Sequence, residues 1–217
     1  MDAIILAGGK STRMEDELPK ALIQVKGKPI LAHQLDYTLG KVDKIVLSVG
    51  HKAGQVVDFI RENYPSAPIE FAIEMEPLGT AGGIRKAMLL TKSEWVLVLN
   101  CDDITDINLK TLEEIRENSV CVAHPMLPFG LITEKDGFGQ FVEKPTLQEW
   151  VSCGWYIFNR QQLLEVLPEK GSIEYDVFPK IKFRLFKHEG FWNTLNTKKD
   201  VMEFEKVELP ATFTQAS

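Results

Sequence analysis

"DAIILAGGKSTRM", residues 2–14, brings the apolar run Ala3-Ile4-Ile5-Leu6 to an abrupt stop at two glycines and a Lys-Ser-Thr-Arg cluster. Consecutive apolar residues of this kind are the pattern of a parallel strand covered on both faces. Open α/β sheets bind ligands beyond the C-terminal ends of such strands. Gly8 and Gly9 allow positive φ and a close backbone approach, and successive N–H groups in such a turn form an anion-binding concavity. Lys10, Arg13 and Lys20 add charge-assisted hydrogen bonds. The stretch therefore reads as a phosphate site, although a surface turn with solvated charges uses the same residues. It matches neither G-x-G-x-x-G nor G-x-x-x-x-G-K-[ST], which argues against a dinucleotide site and an ordinary P-loop kinase or ATPase.

Outward from that strand, "KIVLSVG" (44–50), "IEFAIE" (69–74) and "EWVLVLN" (94–100) repeat the strand pattern. Between them, "PILAHQLDYTLGK" (29–41), "AGQVVDFIRENY" (53–64) and "TAGGIRKAMLL" (80–90) carry apolar residues at helical spacing, with Pro29 suited to a first turn. This alternation predicts an α/β fold with a doubly wound, mostly parallel sheet. After residue 103 the rhythm changes. "NLKTLEEIREN" (108–118) reads as a helix capped by Asp106 or Asn108. "VCVAHP", "GLITEKDG", "GQFVEKP" and "GWYIFN" read as β pieces, with a turn in "EKDGFGQ" between two antiparallel strands. A helix "RQQLLEVL", a strand "RLFKHE" and a last helix in "TKKDVMEFEKVEL" follow. The expected organisation is one domain over 1–209, with a first half (1–103) and a second half (104–209), and a frayed tail at 210–217.

The 217 residues carry a net charge of -6, which disfavours a nucleic-acid partner held by a global basic field. Cys101, Cys121 and Cys153 are odd in number and widely spaced, so they make neither a disulfide framework nor a zinc site, and reduced thiols in a cytoplasm are expected. No apolar run reaches about 18 residues and the start lacks a signal-peptide layout, so no membrane partner is expected. The four histidines are scattered and suggest neither a metal cluster nor a triad.

"LAGGKSTRM" followed by "LPKALIQVKGKPIL" resembles the signature of the sugar-1-phosphate nucleotidyltransferases, L-A-x-G-x-[GS]-[TS]-R-[LM], then P-K-x-L and G-K-P-[IL]. Further matches keep the family's order: "EPLGTAGG" for the nucleotide base, "LVLNCDDITD" for the metal, "FVEKP" for the sugar phosphate, then "SIEYDVFP" and "GFWNTLNTKKD". Mannose-1-phosphate guanylyltransferases resemble these segments most. The resemblance implies a Rossmann-like, glycosyltransferase-A-like sheet with a small antiparallel part. It also implies a nucleotidyltransferase that joins a nucleoside triphosphate, GTP first, to a sugar-1-phosphate, mannose-1-phosphate first, with Mg²⁺. Uridylyl, thymidylyl or cytidylyl transfer to another sugar-1-phosphate stays open, as does a binding-only regulatory paralogue. A homo-oligomer is compatible with these residues.

By the same resemblance, Arg13, Lys20 and Asp102 are catalytic, and Leu6, Ala7, Gly8 and Gly9 cradle the triphosphate. Glu76, Leu78, Gly79 and Thr80 line the base pocket, where Thr80 also suits a helix cap. Lys144 holds the sugar phosphate, Glu143 a sugar hydroxyl and Gly130 the sugar face. Glu143 and Lys144, read as strand residues, should point to opposite faces. Asp102 is the expected metal ligand and Asp103 a bystander. Two departures stand out. Ser152 replaces a usual Asn at a sugar contact. Thr194 replaces the usual second metal carboxylate, leaving Asn196 as the candidate second ligand through its amide oxygen.

Overall fold

The computed structural model describes residues 1–9 and 18–213. In chain order the elements are β1 (Asp2–Leu6), β2 (Gln24–Val25), β3 (Lys28–Pro29), α1 (Ile30–Thr38), β4 (Ile45–Val49), α2 (Ala53–Asn63), β5 (Ile69–Ile73) and α3 (Gly79–Met88). Then come β6 (Trp95–Asn100), β7 (Asp103–Thr105), α4 (Leu109–Glu114), β8 (Ser119–Ala123), β9 (Leu131–Lys135), β10 (Phe138–Val142) and β11 (Val151–Asn159). The chain closes with α5 (Arg160–Val166), a π turn at Ile173–Val177, β12 (Arg184–Lys187), β13 (Trp192–Thr194) and α6 (Lys198–Phe204).

Seven strands form one sheet in the order β12-β8-β11-β6-β1-β4-β5. β5, β4, β1 and β6 run parallel, β11 runs antiparallel to both β6 and β8, and β12 is parallel to β8. Strands from the second half thus complete the sheet begun by the first. The chain winds outward from β1 through β4 to β5, then returns through α3 to β6 on the other side of β1. The C-terminal end of β1 is therefore the switch point, where neighbouring connections diverge and leave a crevice.

The apolar runs are continuous because both faces are covered. Ala3, Ile5, Leu47, Leu97, Leu99 and Trp155 face one core, shared with α1, α2 and Phe204 of α6. Ile4, Val46, Val96, Val98, Tyr156 and Phe158 face the other, against Ile84, Ala87 and Leu163 of α3 and α5. Each fully buried side chain of this size contributes about 1.5–3 kcal/mol.

β9 and β10 form a separate antiparallel hairpin, turned by Asp136 (φ 54) and Gly137 (φ 79), the paired positive φ that a two-residue hairpin loop needs. The strand ends at Val142, so Glu143 and Lys144 lie beyond it and strand alternation does not set their directions. Lys144 takes φ 43, and Pro145 behind it has no N–H to continue a ladder. Asn108, not Asp106, caps α4, accepting from Lys110 N at 3.0 Å and Thr111 N at 3.2 Å. The tail expected to fray from residue 210 instead docks as far as Phe213, whose ring stacks on Tyr37 at 5.1 Å between centroids. Residues 214–217 lie outside the described residues.

Candidate active site

The strand end quoted first opens into a cleft of about 780 Å³. Leu6, Ala7, Gly8 and Gly9 line it together with Ser48, Gly50 and His51 at the end of β4, and Asn100, Cys101 and Asp102 at the end of β6. Ala7 N donates to Ser48 O at 2.8 Å, Cys101 N to Leu6 O at 3.2 Å and His51 N to Gly8 O at 3.3 Å, so three strand ends are tied at one rim. Gly8 is needed for that closeness: a Cβ there would stand 3.2 Å from Gly50 N and 3.3 Å from Glu74 Oε1. Among the described residues, a Cβ on Gly9 would meet nothing within 4 Å. Lys10 and Arg13 lie outside the described residues.

One corner of the cleft gathers Lys20, Asp102 and Asn196. Lys20 starts a short 3₁₀ turn at Lys20–Leu22, Asp102 follows β6, and Asn196 stands between β13 and α6. Lys20 Nζ bonds Asp102 Oδ2 and also donates to Asn196 Oδ1 at 3.3 Å. Asn196 arrives there because β13 pairs antiparallel with β7, with Leu195 N donating to Asp102 O at 2.9 Å. The capping box of α6 then holds the loop: Asp200 Oδ2 accepts from Asn196 N at 3.0 Å and Thr197 N at 2.8 Å. Thr194 does not line the cleft. Its hydroxyl oxygen instead accepts from Asn196 Nδ2 at 2.9 Å.

The two neighbouring aspartates have opposite environments. Asp102 faces the cleft. Asp103 is buried and accepts from Asn100 Nδ2 at 3.0 Å and Trp192 Nε1 at 3.1 Å. Burial and then the Asp102 charge push the Asp103 carboxyl up to about 6, against the hydrogen bonds that favour its ionised form. Asp102 and Asn196 offer a carboxylate and an amide oxygen, hard donors that suit Mg²⁺, and the Lys20 ammonium already occupies the position of a cation between them. Among the described residues no trio of His, Cys, Asp and Glu forms a further metal site.

The opposite wall is built by Glu74, Met75, Glu76, Pro77, Gly79, Thr80 and Gly83. Glu74 Oε1 accepts from Ser48 Oγ at 3.0 Å, and its Oε2 accepts from Leu78 N at 3.1 Å. Gly83 leaves room for this carboxylate, since a Cβ there would stand 2.8 Å from Oε1. Leu78 does not line the cleft but anchors the wall through that N–H and through its carbonyl, which accepts from Gly171 N at 2.9 Å. Thr80 does not cap α3. It lies within the helix, and its hydroxyl accepts from Ile173 N at 2.9 Å. Glu74, Ser48, His51 and Asn100 escaped sequence reading. Their shared signal is a polar residue just where a parallel apolar strand ends.

Gly130, Glu143, Lys144 and Ser152 do not join this cleft. A Cβ on Gly130 would fall 2.2 Å from the Phe141 ring, which packs over it. Glu143 is exposed, and Lys144 Nζ pairs with Glu203 of α6 at 3.1 Å. Ser152 Oγ shares a hydrogen bond with Tyr156 Oη at 3.1 Å.

A model of the MobA-like NTP transferase domain matches residues 3–126. The chain belongs to this family. Mannose-1-phosphate guanyltransferase of Emericella nidulans is 32% identical, over 93% of this chain and 62% of that protein. This member of the family thus spans less than two thirds of that relative's length. D-glycero-alpha-D-manno-heptose 1-phosphate guanylyltransferase of Aneurinibacillus thermoaerophilus is 33% identical, over 88% of this chain and 89% of that protein. The crystal structure of HddC from Yersinia pseudotuberculosis superposes with a TM-score of 0.78 at 26% identity, covering 94% of this chain and 98% of that chain. Its complex with GMP-PN gives 0.76 at 25%. Among the described residues no helix is long and apolar enough to cross a membrane.

Proposed function

We propose that this NTP transferase joins a guanosine triphosphate to a hexose- or heptose-1-phosphate, mannose-1-phosphate first, releasing pyrophosphate and a GDP-sugar in the cytoplasm. The observation that carries the reading is the cleft itself, in which a glycine-rich strand end faces a corner of Lys20, Asp102 and Asn196. Polyphosphate needs N–H groups and cations, and both converge there.

The sugar-phosphate oxygen is ionised at neutral pH, so an in-line attack on the α-phosphorus needs no general base. Positioning and charge neutralisation supply the catalysis. Backbone N–H groups around Gly8 and Gly9 hold the triphosphate. Lys20 turns from Asp102 towards the α-phosphate, and Arg13 stabilises the leaving β,γ-phosphates. Asp102 and Asn196 would hold Mg²⁺, which would supply Lewis-acid neutralisation of phosphate charge. Lys144 exchanges Glu203 for the sugar phosphate, while Gly130, Glu143 and Ser152 approach the sugar. Glu74 supports guanine. Its carboxylate only accepts, each oxygen keeps a free lone-pair site, and guanine presents adjacent N1–H and N2–H₂ donors where a pyrimidine does not.

The test is pyrophosphate release with Mg²⁺, crossing GTP, UTP, dTTP, CTP and ATP with mannose-, glucose-, N-acetylglucosamine- and heptose-1-phosphates. GTP with a manno-configured sugar phosphate is the expected pair. Asp102→Ala should lower its turnover about a hundredfold or more, the cost of losing about 3 kcal/mol of preorganised charge stabilisation. Silence across the grid, with saturable GDP-sugar binding by calorimetry, would instead describe a binding-only protein.

A further inference from the structure

Of the two oxygen donors in the cation corner, Asn196 alone has chemically different ends. Its amide oxygen can hold a cation, and its NH₂ repels one. The bond to the amide is a two-fold torsion, so nothing local to the side chain favours one end over the other. The surroundings do. Lys20 Nζ can only donate, so the end it meets at 3.3 Å is the oxygen, while Nδ2 donates to Thr194 Oγ1 at 2.9 Å. Thr194 is itself held. It pairs with Asp103 across β13 and β7, and the next residue donates its N–H to Asp102 O at 2.9 Å. The Thr194 oxygen is thus placed to accept from the amide.

We propose that Thr194 is a positioning residue: its hydroxyl oxygen accepts from the Asn196 amide and so turns the amide oxygen towards Asp102 and the cation those two residues hold. In this chain an orienting hydroxyl stands two residues before the oriented amide. The inference rests on the proposed cation role of Asp102 and Asn196.

A carboxylate has two equivalent ends and needs no orienting, and this supplies the test. Mn²⁺ binding to the metal-free full chain is followed by the electron paramagnetic resonance signal of the free ion, for wild type, Thr194→Val, Thr194→Ser, Asn196→Asp and the double variant Thr194→Val/Asn196→Asp. Thr194→Val should weaken Mn²⁺ binding about tenfold or more, the usual cost of losing a partner that orients a ligand. Thr194→Ser, which keeps the hydroxyl, should stay within about threefold of wild type. In the Asn196→Asp background, Thr194→Val should cost less than about threefold, so the two changes are coupled. An equal cost in both backgrounds makes Thr194 a structural residue and overturns the proposal, as does no cost in either. If Thr194→Val does not fold by thermal unfolding, Thr194→Ala removes the same hydroxyl and the comparison is unchanged. Wild type with no saturable Mn²⁺ site would refute the cation reading itself, whereas a wild-type site indifferent to Thr194 refutes the orienting role alone.

Discussion

Glu74 is a scaffold residue to which the proposed function adds the reading of the base. It holds Ser48 and the Leu78 amide, and in the proposed function its remaining lone pairs accept from guanine. Replacing it by Gln swaps one acceptor for a donor while keeping the shape. Glu74→Gln should lower kcat/KM for GTP by about 10- to 100-fold, since an unpaired buried polar group costs about 1–3 kcal/mol. UTP, which presents a different edge, should change by less than about threefold. An equal fall for every triphosphate would leave Glu74 as scaffold only.

At the scale of elements, the bulge in β11 is what lets the buried aspartate exist. The register of β11 against β8 shifts between Ser152 and Tyr156, and Gly154 in that gap takes φ 74. A Cβ there would lie 1.9 Å from Asp103 Oδ2 and 2.6 Å from Asn100 Nδ2. Gly154→Ala therefore combines a left-handed backbone with a collision against two polar groups. It should destabilise the fold by at least about 2 kcal/mol, read as a lower denaturant midpoint at unchanged m-value. An unshifted midpoint would mean that the carboxylate does not fill the bulge. The same packing carries β13, because Trp192 donates to Asp103 two residues before Thr194.

Across the molecule, two buried carboxylates give stability opposite pH dependences. Burial raises the pKa of Asp2, but the amides of Lys92 and Ser93, donating at 2.6 and 3.1 Å, outweigh it and hold the carboxyl below its usual value. A depressed pKa means stability that is present above the unfolded value, near 3.9, and is lost as pH falls through the folded one. Asp103, raised to about 6, works the other way: its contribution is full below about 4 and fades as pH climbs through about 6. Asp2→Asn should cost about 1–3 kcal/mol at pH 7, and the gap to wild type should close as pH drops below about 4. Urea unfolding across that range measures it. A gap independent of pH would show that the Asp2 charge contributes nothing.

The strand-and-helix alternation, the glycine-rich end of β1, and Lys20, Asp102 and Asn196 as candidates were all legible in the linear order. Apolar periodicity and short motifs are local properties, so the linear order carries them. The opposite fates of Asp102 and Asp103, the Glu74 wall, the hydroxyl hold of Thr194 on Asn196 and the docked Phe213 were decided only by tertiary structure. Each depends on which segment meets which: β13 on β7, β4 beside β1 and β5 beside β4, the tail on α1. Such long-range pairings set burial and hydrogen-bond partners, and no sequence period encodes them. The sequence named candidate groups; the pairing of distant segments determined which of the described ones face the cleft and which end of each side chain they present.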